Sequence, residues 1–90
     1  MKVYNKHHKD APPDAVYVGR PTKWGNPFVV GIHGARGQCV ELFREDIHDF
    51  KTRDPLSFRK FIEPLRGKSL VCWCAPAACH ADILMELANE

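Results

Sequence analysis

Three of the four cysteines and one of the five histidines fall within nine residues, Cys72-Trp73-Cys74-Ala75-Pro76-Ala77-Ala78-Cys79-His80. Thiols and an imidazole so close together suit nucleophilic or redox chemistry. A thiol in the first turn of a helix feels the positive end of the macrodipole, which favours its thiolate. Cys79 is best placed for that role, with His80 beside it. Adjacent residues on a helix point in different directions, so a direct pairing of Cys79 with His80 does not follow from the sequence. The same residue types also suit zinc, with Cys72, Cys74, Cys79 and His80 as four tetrahedral ligands. Zinc modules usually draw ligand pairs from two distant knuckles, and here no second knuckle exists. A mostly zinc-free protein is therefore expected. The bland alternative is that Cys72 and Cys74 are small core residues, since cysteine is among the most buried residue types.

A second segment, Gly19-Arg20-Pro21-Thr22-Lys23-Trp24-Gly25-Asn26-Pro27-Phe28, carries cations, an indole and an amide on a backbone broken by glycine and proline. Arg20 can fork onto a phosphate or carboxylate, and Lys23 adds a point charge. Trp24 can stack on a base or sugar. Asn26 can read an amide-like edge or form a turn before Pro27. The competing reading has Trp24 and Phe28 folding inward to fill the core, which is favoured for Phe28. Trp73 is expected to pack rather than recognise. Cys39 has no clear place in the thiol set. His7, His8, His33 and His48 are expected to be solvated.

Both segments must be positioned by the elements around them. Val3-Tyr4-Asn5, Ala15-Val16-Tyr17-Val18 and Phe28-Val29-Val30 read as strands, the second stopped by Gly19 and Pro21. Lys9 to Asp14, with Pro12 and Pro13, reads as a loop, as does His33 to Gly37. Between Gln38 and Phe50, Val40, Phe43, Ile47 and Phe50 recur at helical spacing. Asp54-Pro55 is a helix start, Phe58, Phe61, Ile62 and Leu65 are its apolar side, and Pro64 and Gly67 end it. Leu70-Val71 is a buried strand, and a last helix runs from about Cys79 to Ala88. The order is roughly β-β-β-α-α-β-α. Helices between strands demand a crossover, so part of the sheet is parallel. The expected fold is one small α/β domain over 1–90, a partly parallel sheet flanked by about three helices. If the strands before the two segments are parallel neighbours, both segments emerge at one sheet edge, where α/β domains bind ligands.

The totals narrow the function. Ninety residues suffice for one domain and a modest core. A net charge of +2, spread along the chain, is too weak to argue for a dedicated nucleic-acid binder, which leaves nucleic acid as an open question. The chain holds no apolar run of membrane-spanning length, and Met-Lys-Val-Tyr-Asn does not open a signal peptide. A cytoplasmic protein with reduced cysteines is expected.

Residues 16–28, with Leu65 to Pro76 and then Cys79-His80-Ala81-Asp82-Ile83-Leu84, resemble the domain of unknown function 4326 family, small proteins of phages and bacteria. The resemblance covers most of residues 15–88. It implies a compact domain and a phage or mobile-element setting, and hence the host cell cytoplasm. It supplies no activity, substrate or catalytic residue. Many members carry glycine after the Cys-His pair, where this chain has Ala81.

Chemistry then orders the functional readings. The first is a ligand-binding domain, enzyme or not, that takes a nucleotide-like or anionic small molecule between the Arg20–Asn26 loop and the Cys74–His80 turn. Arg20, Lys23, Trp24 and Asn26 would bind, and Cys79 or His80 would do any chemistry. The second is a zinc-stabilised structural or interaction module. The third is a phage-encoded inhibitor of a host protein, with no active site.

Overall fold

In a computed structural model, which describes residues 2–7, 10–73 and 79–90, the chain folds as β1 (Val3–Asn5), β2 (Val16–Tyr17), α1 (Arg36–Arg53), α2 (Pro55–Ile62), a 3₁₀ turn (Glu63–Leu65), β3 (Leu70–Cys72) and α3 (His80–Ala88). The sheet has three strands in the order β1-β3-β2, and both pairings are parallel. Leu70 faces Val3 on one side and Val16 on the other; Val71 faces Tyr4 and Tyr17. Main-chain bonds extend the ladder past the strand ends, from Val18 N–H to the Val71 carbonyl and from Lys6 N–H to the Cys72 carbonyl.

Alternation along β3 sets the two faces of this sheet. Leu70 and Cys72 are buried, while Val71 between them is half-buried. The buried face meets α3, which in turn packs on α1 and α2. The helices contribute stripes at i, i+4 spacing, Cys39-Phe43-Ile47 from α1 and Phe58-Ile62 from α2. Ile83, Leu84 and Leu87 of α3 lie among them, with Val18 and Leu65 fully buried. The opposite face carries Tyr4, Val71 and Tyr17 side by side. There the Lys6 ammonium lies 4.5 Å from the Tyr17 ring centre and 4.9 Å from that of Trp73.

The ends of the helices follow their local chemistry. Pro55 occupies the first turn of α2, and the Asp54 carboxylate accepts the Ser57 N–H at 3.2 Å. Helix α1 starts two residues earlier than the apolar spacing predicts and runs to Arg53. Its cap residue, Ala35, has no side-chain acceptor to offer. Gln38 instead reaches back to accept the Ala35 N–H at 2.8 Å, half of a capping box.

The strand expected at Phe28–Val30 does not form. Its backbone groups bond locally instead. The Asn26 side chain accepts the Phe28 N–H at 2.9 Å, and the His33 ring accepts the Val29 N–H at 2.8 Å. The Val29 carbonyl then takes the N–H groups of Ile32 and His33. Asx and His turns thus outcompete the β-propensity of two valines, and Val30 is left 54% exposed.

Candidate functional site

Strands β2 and β3 are parallel neighbours, so the chain leaves both at the same sheet edge. A cavity of about 330 Å³ opens there, lined by residues that include Arg20, Asn26, Arg36, Cys39, Trp73 and His80, with Cys72 and Cys79. Four segments converge on it: the loop after β2, the first turn of α1, the end of β3 and the start of α3.

The thiols lie in the buried part. Cys72 is the last residue of β3, and its sulfur lies 2.7 Å from that of Cys79. Cys79 is the N-cap of α3, with extended backbone at φ −150° and ψ 149°. Its sulfur accepts the Ala81 N–H at 3.5 Å, and the Asp82 carboxylate accepts the Cys79 N–H at 3.3 Å. Sulfur thus stands where a serine hydroxyl stands in a capping box. The extended conformation also turns Cys79 toward its neighbour, and its sulfur is 3.5 Å from His80 Nδ1. The helical geometry that separates adjacent side chains starts only at His80. That is why a contact the sequence could not promise is made.

His80 is buried, and its Nε2 lies 2.9 Å from the Val18 carbonyl. A carbonyl can only accept, so Nε2 carries the proton and Nδ1 presents its lone pair to the Cys79 thiol. Burial holds the imidazole below its usual pKa, and the nearby Arg20 charge adds to this. The Val18 and Trp24 carbonyls and Asp82 pull the other way. The neutral ring can take a proton from Cys79, and its edge packs on Phe43 at 5.2 Å between ring centres.

The upper part of the cavity is cationic and aromatic. Gly19 and Gly25 allow the loop to close on itself. A Cβ on Gly25 would come within 3.0 Å of the Arg20 side chain and 3.2 Å of its backbone, and one on Gly19 would run into the Tyr17 hydroxyl. That hydroxyl donates to the Arg20 carbonyl at 2.8 Å and accepts the Trp73 indole N–H at 2.6 Å. Tyr17 thereby ties the Arg20 loop to Trp73, which is 48% exposed at the rim. Asn26 donates to the Cys39 carbonyl at 3.2 Å, joining the loop to the first turn of α1.

Of the residues singled out in the sequence, Arg20, Asn26, Cys79 and His80 meet at this cavity. Trp24 and Lys23 do not line it. The Trp24 indole N–H donates to the Phe61 carbonyl at 2.8 Å, and the ring packs against the core. Lys23 Nζ lies 5.0 Å from the Trp24 ring centre. Cys74 and His8 lie outside the described residues. His33 is held in its turn, His48 is exposed, and His7 packs edge-on against Trp73. Among the described residues no three His, Cys, Asp or Glu side chains are arranged to hold a metal ion.

Arg36, Cys39 and Trp73 are the site residues that sequence reasoning passed over. Cys39 had a usable signal, since it precedes Phe43 and Ile47 by four and eight residues on the buried stripe. Arg36 had a weaker one: a basic residue opening a helix with no acid in its first turn.

Three parallel strands, a helical layer and a cavity lined by Arg20 and Arg36 at the C-terminal strand edge define a small α/β domain. The chain belongs to the family described as Domain of unknown function (DUF4326), whose model matches residues 2–90. It is 37% identical over 90 residues to the "Uncharacterized 12.4 kDa protein in nrdA-td intergenic region" of Enterobacteria phage T4, covering 99% of this chain and 78% of that protein. No solved structure matches the chain. Among the described residues no helix is long and apolar enough to cross a membrane.

Proposed function

We propose that the cavity binds an anionic, nucleotide-like small molecule. The carrying observation is the lining itself: two guanidinium groups, Arg20 and Arg36, an amide on Asn26 and a half-exposed indole on Trp73, around about 330 Å³ of space. Guanidinium groups fork onto phosphate or carboxylate oxygens. Helix α1 opens beside them with no acidic side chain in its first turn, so an anion there would be favoured by the helix end as well. Trp73 takes the stacking role that the sequence suggested for Trp24. Beneath the ligand, Cys79 is the candidate nucleophile and the neutral His80 the candidate base.

The test is calorimetric titration of the folded protein with inorganic phosphate, a nucleoside, and its mono-, di- and triphosphates. Phosphorylated nucleosides should bind more tightly than either part alone. Arg36→Gln and Arg20→Gln should each weaken them by tenfold or more, as loss of a charge-assisted contact worth about 1.5–3 kcal/mol implies. Equal, weak binding of every compound would overturn the reading.

The phage relative keeps the host-protein inhibitor as a second reading. Ile32, 77% exposed, and Val30, in the loop before α1, would then supply its apolar contact. In that case Ile32→Asp would abolish capture of a host protein, while the arginine variants would not.

A further inference from the structure

Cys72 and Cys79 are an unusual pair for a core. Both are almost fully buried and both line the cavity. Packed side-chain atoms settle at about 3.5–4.0 Å, and these two sulfurs are 2.7 Å apart. A disulfide needs about 2.05 Å, so roughly 0.7 Å of movement separates contact from bond. Cys72 ends a strand, and Cys79 is an extended cap residue outside the helical ladder. The intervening segment is short, so closing it costs little chain entropy.

Their surroundings favour reaction over storage. The Cys79 sulfur accepts a backbone N–H at the positive end of α3, which works against the cost that burial puts on its thiolate, and His80 Nδ1 presents a lone pair to it at 3.5 Å. Asp82, on the Cys79 N–H, opposes this in part.

We propose that Cys72 and Cys79 are a redox-active dithiol that exchanges electrons with a thiol–disulfide couple entering the cavity. The Cys79 thiolate attacks one sulfur of a small disulfide RSSR. A mixed disulfide Cys79–S–S–R forms and RS⁻ leaves, taking up a proton. The Cys72 thiol then loses its proton and attacks the Cys79 sulfur, forming the Cys72–Cys79 bond and expelling the second RS⁻. The protein dithiol is oxidised by two electrons, and RSSR is reduced to two RSH. This assignment stands apart from the nucleotide reading, and a failure of ligand titration leaves it intact.

The test uses the folded full chain in buffers of 2-hydroxyethyl disulfide and 2-mercaptoethanol at stepped ratios. Samples are quenched in acid, alkylated, weighed intact and mapped by peptide. The expected result is a reversible loss of two alkylatable thiols, with the bond mapped to Cys72–Cys79. Cys79→Ser should abolish exchange at Cys72, and Cys72→Ser should stop at the mixed disulfide on Cys79. In the peptide map of the unaltered protein, Cys39 and Cys74 should stay alkylatable at every ratio. If a serine variant fails to fold, the peptide map of the unaltered protein decides alone. A bond mapped to Cys74 or Cys39, no intramolecular bond at any ratio, or one equivalent of bound zinc that releases only with both thiols would each overturn the proposal.

Discussion

Replacing Trp24 tests whether the loop after β2 serves the ligand or the core. The indole packs among partly buried residues at the core edge, tilted on Phe61 at 6.3 Å between ring centres, and its N–H donates to the Phe61 carbonyl. That carbonyl needs the donor. Three residues on stands Pro64, which has no N–H, where the helix tightens into its 3₁₀ turn. A fully buried tryptophan costs about 3–5 kcal/mol on truncation to alanine. Partial burial puts Trp24→Ala near the lower end, about 3 kcal/mol, with roughly 1 kcal/mol of it from the stranded carbonyl. A 90-residue domain has roughly 5–13 kcal/mol in total, so the variant should lose a large share. Trp24→Phe keeps the ring contact and loses the donor, so about 1–2 kcal/mol is expected. Urea unfolding followed by far-ultraviolet circular dichroism measures both, with the m-value as a check on two-state behaviour. Trp24→Ala within about 1 kcal/mol of the parent, together with lost nucleotide binding, would refute this reasoning. The indole would then act on the ligand, as the bare sequence allowed.

Further expectations follow from other parts of the fold. His80 is held neutral by burial, so its folded pKa lies below its ordinary 6.5. The unfolded chain takes up that proton first as pH falls. Stability is therefore full above about pH 6.5 and declines below it, by at most about 1.4 kcal/mol at pH 5.5. His80→Gln should flatten this part of the pH profile, and unfolding curves with the same slope in both proteins would count against it. Gly19→Ala should drive a methyl into the Tyr17 hydroxyl, shift Trp73 fluorescence and lower the melting temperature. Tyr17→Phe should reproduce the spectral shift with a smaller thermal loss, and an unchanged Trp73 spectrum in both would dismiss Tyr17 as the tie. Asp54→Ala should lower the melting temperature by removing the cap on Ser57, whereas Asp54→Asn, which can still accept, should not.

Much of the fold was legible because local signals agreed with the global one. Asp54-Pro55 marked a helix start, the spacing of Phe43, Ile47 and Phe50 marked a helix face, and three short apolar runs became β1, β2 and β3. Phe28–Val30 misled because composition favours a strand, while Asn26 and His33 satisfy its backbone locally. Of the residues that line the cavity, Arg20, Asn26, Cys79 and His80 stood out in the sequence by residue type. Trp24 turns into the core edge and Trp73 stands at the cavity rim, because an indole's direction depends on which donor or acceptor it finds. Trp24 found the Phe61 carbonyl, and Trp73 found Tyr17 across the sheet, both partners distant in sequence. Arg36 reached the cavity through the placement of α1 against the β2 loop, which no short-range pattern encodes.

The central strand is also the last of the three in the chain. With β3 between β1 and β2, both earlier strands wait, unpaired in the sheet, until residues 70–72 arrive. The pairing is long-range throughout, which slows folding. The strand that completes the sheet ends in Cys72 and carries it to Cys79 in the same step. Until β3 docks, Cys72 would thus stay exposed to solvent. Protection of Cys72 against a fast alkylating reagent would serve as a clock for folding, reading the birth of the sheet and of the cavity on one time axis.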